Sequence, residues 1–233
     1  LHDVNRLPSG DNVMRSFLVF ILFVAVSTPA AAQSTYVGAS LVGDVARVNK
    51  IEFDDDFARL IGTDVAEDGE ALGFNVKVGR EIGERWGVEL EFARTGEFET
   101  RGVAAIPAIF PERLDLRVPP LEFESERTHT MIGALAFVRQ ELGDRVELSF
   151  LGGISFNRIE TEHEYTGPRI LIFPPVPVPN YEQTTYGVGP TIGVESAFEF
   201  GAAAVTTGVR LQTLGNGGSG WLIRPNVGMR WTF

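Results

Sequence analysis

The chain has no cysteine among its 233 residues and only three histidines. Without thiolates, a disulfide framework and a cysteine-based zinc site are both excluded. Long apolar runs are missing too. The longest, Phe17 to Val26, holds about ten residues, whereas a bilayer-crossing helix needs about 20. Basic charge is also scarce. Twenty Lys and Arg stand against 31 Asp and Glu, for a formal net charge of −11. Nucleic acid attracts basic proteins, so it is not an expected partner. The sequence shows no phosphate-binding loop, no metal-ligand spacing and no internal repeat, so no cofactor is expected.

What is present begins with an address. Met14-Arg15 provides a short basic start, Phe17 to Val26 an apolar core, and Ala30-Ala31-Ala32 a small-residue cleavage site. This predicts a secretory signal peptide over 14–32, cut before Gln33. Residues 1–13 then read as upstream sequence taken in by a wrong start codon. The remainder, 33–233, has about 200 residues and suits one β domain.

The far end is equally patterned. Counting back from Phe233 in steps of two gives Trp231, Met229, Val227, Pro225, Ile223 and Trp221. Between them lie Thr232, Arg230, Gly228, Asn226, Arg224 and Leu222. A period of two with one greasy face and one mostly small or polar face is a strand with two unlike sides. A chain that stops on an aromatic after such a strand resembles the C-terminal assembly signal of outer-membrane barrels. That resemblance implies a signal at Val227, Met229, Trp231 and Phe233, read by the assembly machinery. Pro225 is the awkward member, because it removes a ladder donor.

The same alternation predicts seven earlier strands. They fall at about 35–48, 70–82, 86–95, 127–141, 145–158, 183–200 and 204–213. Leu72, Phe74, Val76 and Val78 share one face of the second, against Gly73, Asn75, Lys77 and Gly79. Trp86, Val88, Leu90 and Phe92 share one face of the third, against Gly87, Glu89, Glu91 and Ala93. The fourth is ambiguous, with apolar residues at both parities. Met131, Leu135 and Phe137 are expected to face outward. Three tight turns, near Gly83, Gly143-Asp144 and Ala202-Ala203, alternate with longer loops at about 49–69, 96–126, 159–182 and 214–220. Short turns on one rim and long loops on the other is the outer-membrane arrangement.

A membrane protein without an apolar helix must close its backbone hydrogen bonds as a barrel. The chain resembles the small eight-stranded barrels of the OmpA transmembrane-domain and OmpX type over about 33–233. The resemblance implies an all-β fold, a closed antiparallel eight-stranded transmembrane barrel of up-and-down topology in the bacterial outer membrane. Its partners would be the lipid bilayer and lipopolysaccharide. No further domain is expected after the barrel, so the resemblance does not imply wall tethering. The competing fold is a soluble, lipocalin-like barrel with the apolar face inward. Here, however, the face carrying Glu and Lys is also rich in Gly, which suits a narrow interior. Trp86, Phe200 and Trp231, with Phe233, gather near the short-turn rim, and Trp221 completes the aromatic girdle.

Inward parity collects Lys77, Glu89, Glu91, Glu147, Glu195, Arg210 and Arg230, with Arg224 nearer the outer rim. Buried charges persist only when paired. A turn pairing Ile82 with Trp86 puts Lys77 opposite Glu91, and a turn at Ala202-Ala203 puts Glu195 opposite Arg210. An ion-paired plug is the expectation; a proton or ion path is the alternative.

The loops are unusual. Glu52, Asp54, Asp55, Asp56, Asp64, Glu67, Asp68 and Glu70 crowd the first. They lack the alternating ligands and central glycine of a calcium loop, so a solvated acidic tip is expected. Val103 to Pro111, Val118-Pro119-Pro120 and Ile170 to Pro179 mix apolar residues with proline, which makes stiff, extended tips. Two uses are open: a surface partner bound through loops 96–126 and 159–182, or mutual packing. Of the two histidines left after processing, His129 lies at the outer end of the fourth strand and His163 between two glutamates. The lipid A deacylase pattern wants a serine two residues after the histidine, where Met131 stands. The expected role is therefore non-enzymatic, structural or surface-interacting. A narrow pore and a lipid-modifying enzyme are the alternatives. N-terminal sequencing of the secreted product should begin at Gln33; a start at Leu1 refutes the leader.

Overall fold

In the computed structural model, residues 34–50, 67–104, 121–165, 181–215 and 219–233 are described. The leader, the acidic tip over 51–66 and most of the proline-rich loops lie outside them. The alternating segments form nine strand segments. They are β1 Thr35–Lys50, β2 Glu67–Glu81, β3 Trp86–Thr95, β4 Phe98–Ala104 and β5 Leu121–Glu141. Then follow β6 Val146–Tyr165, β7 Tyr181–Phe200, β8 Ala203–Thr213 and β9 Ser219–Thr232.

All neighbours pair antiparallel, and β1 pairs β9, so the sheet closes. β3 and β4 are two pieces of one stave, since both lie along β5. Between Arg94↔Thr130 and Phe98↔Arg127 the inner strand gains one residue on its partner, which is a bulge. The bulge flips parity: Arg94 faces out in β3, whereas Phe98 faces in on β4. The barrel thus has eight staves.

Register defines its girth. Paired residues run from Tyr36 through Gly79, Glu89, Leu135 and Gly153. They continue through Thr191, Gln212 and Leu222 and return to β1 at Ala46, ten residues above the start. That stagger tilts the staves by about 40° and leaves a bore just wide enough for side chains.

The faces divide as the alternation requires. Leu72 is 81% exposed and Lys77 1%. Large apolar side chains (Leu41, Phe74, Phe150, Ile154, Val188, Ile192, Val227) stand on the outside. Three short connections occupy one rim. Ile82 N donates to Trp86 O at 3.0 Å, and Leu142 N to Val146 O at 2.8 Å. The third turn is Gly201-Ala202, not Ala202-Ala203, because Gly201 takes φ of 72°, which glycine adopts without a steric cost. Glu195 therefore faces Gly208, and Arg210 faces Gly193.

The fourth predicted strand, β5, is turned the other way from expectation. Met131, Leu135 and Phe137 point inward and are buried; Ile132, Ala134, Ala136 and Val138 face out. Tyr36, Leu135, Phe137 and Leu151 pack as one apolar cluster at the short-turn end of the bore. Glycine makes the room. A Cβ at Gly87 would lie 2.4 Å from the Phe137 ring, and one at Gly79 2.0 Å from Tyr36.

The seam between first and last strands has a gap. Val42↔Asn226 and Val45↔Ile223 are paired in one register, but the two rungs between them, at Gly43/Pro225 and Asp44/Arg224, are not. Proline brings no N–H there. Inside the bore Arg224 Nε donates to Asp44 Oδ1 at 2.6 Å, spanning the same gap. Asp44→Asn should lower the unfolding temperature, read by heat-modifiable gel mobility, and speed amide exchange in β1 and β9 before other staves. Uniform exchange would count against a seam held by this pair.

Candidate functional site

The bore is filled in tiers. At the short-turn end Arg139 lies over the rings of Tyr36 and Phe137, with its guanidinium carbon 5.4 and 4.9 Å from their centroids. Arg230 approaches Tyr36 to 5.2 Å and holds Glu147 through both terminal nitrogens, at 2.9 and 3.1 Å. Arg139 Nε also meets Glu147, at 2.9 Å, and its NH1 meets Glu81.

The middle tier is a web of charges. Lys77 donates to both carboxylate oxygens of Glu195 and lies 3.6 Å from Glu89. Arg210 NH2 donates to Glu195 at 2.9 Å and to Glu89 at 3.4 Å, while its Nε lies 3.5 Å from Glu91. Arg224 NH1 stands 4.0 Å from Glu91, and the Tyr36 hydroxyl donates to Glu89 at 2.7 Å. Glycine again gives passage: a Cβ at Gly38 would sit 2.9 Å from Lys77 Cε, and one at Gly193 2.5 Å from Arg210 Cδ. Long cationic side chains therefore lie flat across the wall instead of meeting the residue beside them.

Above the charges, Ala46, Ala71, Phe98, Ile159, Leu214 and Leu222 form a second buried apolar cluster. His129 points into this end and is 3% exposed, with its ring 5.2 Å from that of Phe98. Thr95 Oγ1 accepts its backbone N–H at 2.8 Å, and neither ring nitrogen has a partner among the described residues.

Outside the bore, β4, β5, β6 and β7 continue beyond the apolar wall. Their outward side chains form a ladder of glutamates: Glu99 pairs with Glu126, Glu126 with Glu162, and Glu162 with Glu182. All four are exposed. Like charges on directly opposed residues repel. Desolvation and the neighbouring Glu97, Glu162, Glu99 and Glu124 hold the Glu126 carboxyl above the usual carboxylate range.

A closed barrel wrapped in an apolar wall with short turns at one rim is the outer-membrane arrangement, and residues 18–218 match the outer membrane protein beta-barrel domain. The chain belongs to the outer membrane protein beta-barrel domain family. It is an outer-membrane protein of bacteria. Among solved structures it is similar to Ail, the attachment invasion locus protein of Yersinia pestis. The identity is 12% over 86% of this chain and 98% of that one, with a TM-score of 0.47. Neisserial surface protein A is similar at 14% identity over 85% and 97%, TM-score 0.49. The outer membrane protease OmpT of Escherichia coli is similar at 9% over 89% and 99%, TM-score 0.48. A comparison with curated proteins gives no match.

The eight barrel charges named from sequence all lie buried in the bore; of the two expected pairs, Glu195 with Arg210 forms, and Lys77 with Glu91 does not. Lys77 is opposite Glu91 in register yet bonds Glu195 across the bore. Arg210 reaches Glu195 diagonally from two rungs away. Sequence reading missed Asp44 and Arg139. Asp44 continues the inward parity of Tyr36, Gly38 and Ser40, so the signal was present. Arg139 shares parity with Phe137 and was hidden by the wrong facing of β5. The residues of the terminal motif, Val227, Met229, Trp231 and Phe233, face outward. Trp86, Phe200 and Trp231 stand at the short-turn rim, with Trp221 at the other end of β9.

Two predictions follow from the tiers and the ladder. Glu195→Gln strands two buried cations and should cost about 3–5 kcal/mol in reversible denaturant unfolding. The double change Glu195→Gln with Lys77→Met should recover part of that loss; a strictly additive result denies the pairing. The ladder makes stability depend on pH. A native carboxyl raised above its unfolded value binds its proton more readily when folded, so the outer sheet gains stability as pH falls through the native value. Glu126→Gln should slow protease cleavage of the outer hairpins at neutral pH, with the advantage fading toward pH of about 4.

Proposed function

We propose that this barrel is a non-enzymatic surface protein whose bore is a structural plug and whose outer sheet meets other molecules. One observation carries the reading. The strands that rise past the apolar wall bear the ladder Glu99, Glu126, Glu162 and Glu182, while the bore behind them is filled by two apolar clusters and an ion-paired web. Length and charge are invested outside, where a partner can reach them. In the sequence, the proline-rich segments over 105–120 and 166–180 link β4 to β5 and β6 to β7. The buried setting of His129 against Phe98 supports a packing role for that ring, since a catalytic base needs substrate access.

The narrow-conduit alternative has one point in its favour. Ser40 Oγ, Asn75 Oδ1, Thr206 Oγ1 and Gln212 Oε1 are buried without a partner among the described residues, and water is the ordinary way such atoms are satisfied. The two readings part in a planar bilayer. A plugged bore should pass no steady current, and Lys77→Ala with Arg210→Ala should open one. Steady conductance in the unaltered protein would favour the conduit. Deleting 166–180 should weaken binding of expressing cells to surfaces or to other envelope proteins; unchanged binding would remove the tip from the proposal.

A further inference from the structure

The lipid-facing wall changes character along one row of paired residues. Arg94 of β3 pairs with Thr130 of β5, Thr130 with Arg158 of β6, and Arg158 with Tyr186 of β7. The outward row nearer the short-turn rim is Phe92, Ile132, Phe156 and Val188. The outward row beyond it is Thr128, Glu160 and Thr184, and the glutamate ladder follows. Hydrocarbon thus gives way to headgroups at the arginine row.

The two arginines are unequally committed. Arg94 is exposed and makes no ion pair among the described residues. Arg158 gives NH2 to Glu160 at 2.6 Å, but its Nε is buried and has no acceptor among the described residues. They flank Thr130 two strands apart, about 10 Å between backbones, which two long side chains can bridge onto one anion. Aromatic pairs stand beside both. The rings of Phe156 and Tyr186 stack at 5.8 Å next to Arg158, and Phe74 and Phe92 lie at 6.1 Å next to Arg94. A guanidinium short of acceptors at this depth suits phosphate, whose oxygens match its fork of donors. Carboxylate is the poorer candidate, because its two oxygens and single charge serve one guanidinium, whereas phosphate has acceptors and charge for two.

We propose that Arg94 and Arg158 form a seat for the phosphate of an outer-leaflet lipid, whose acyl chains run down over Phe92, Ile132 and Phe156. The ladder sets the depth. Glu126 and Glu162 lie four residues further out on the strands of Thr130 and Arg158, and they repel a phosphate placed higher. The inference needs only the outer-membrane location and stands apart from the surface-partner reading.

The test is native mass spectrometry of the full barrel in detergent. The probes are lipid A carrying two phosphates, the same lipid without phosphate, and inorganic phosphate as competitor. The unaltered protein should retain the phosphorylated lipid about tenfold over the dephosphorylated one. Arg94→Gln with Arg158→Gln should abolish that preference, while Arg145→Gln at the opposite rim leaves it intact. An undiminished preference in the double Gln variant overturns the seat. Equal displacement of the lipid by inorganic phosphate at millimolar concentration overturns the lipid as occupant and leaves a free anion. Heat-modifiable mobility checks that each variant is folded. The double Lys variant keeps the charge and retains most of the preference if the seat is real.

Discussion

Hydrocarbon offers no hydrogen bonds, and every other feature of this barrel answers to that fact. Each backbone N–H and C=O at membrane depth needs a partner in the wall itself, so the sheet has to close. Eight staves with a stagger of ten residues enclose a bore just wide enough for side chains. Whatever polar groups the inner parity carries are then shut away from both water and lipid. Among the described residues, Asp44, Glu89, Glu91, Glu147 and Glu195 meet Lys77, Arg139, Arg210, Arg224 and Arg230 there, and Arg127 is buried nearer the long-loop end. Near-neutrality inside is a condition of closing the wall at all.

The closed wall was legible in the residues because alternation survives in seven of the eight staves, and short turns with glycine mark one rim. What escaped has a physical cause in each case. β5 carries apolar residues at both parities, and its true facing depends on Gly87 and Gly79 leaving space for Phe137 and Tyr36, which no local pattern announces. β4 hid behind a bulge that reverses parity within four residues. The register of β7 on β8 turned on which of three small residues, Gly201, Ala202 or Ala203, took the first turn position. The ion-pair partners were hardest. Strand register tells which residues are side by side on the wall, but in a narrow bore the nearest opposite charge stands across the void.

Outside, two charge regimes are stacked within a short height. Guanidiniums at Arg94 and Arg158 sit where the apolar wall ends, and a carboxylate ladder follows on the same strands. With the proposed seat, the first regime holds anionic headgroups and the second repels them, so one sheet would both anchor the barrel at a depth and keep its outer face clear of lipid. The acidic balance of the whole chain is expressed on the surface, since the bore is close to neutral.

One rung of the wall has a meaning beyond its size. Where β1 meets β9, Pro225 leaves the ladder unfastened, and the Arg224–Asp44 pair clasps the two strands from within. A cylinder rolled from a ribbon is completed only when its first and last edges join. Here twelve rungs make the join, and across the gap beside Pro225 the clasp belongs to the core, so the closing edge and the contents of the bore are tied to one another.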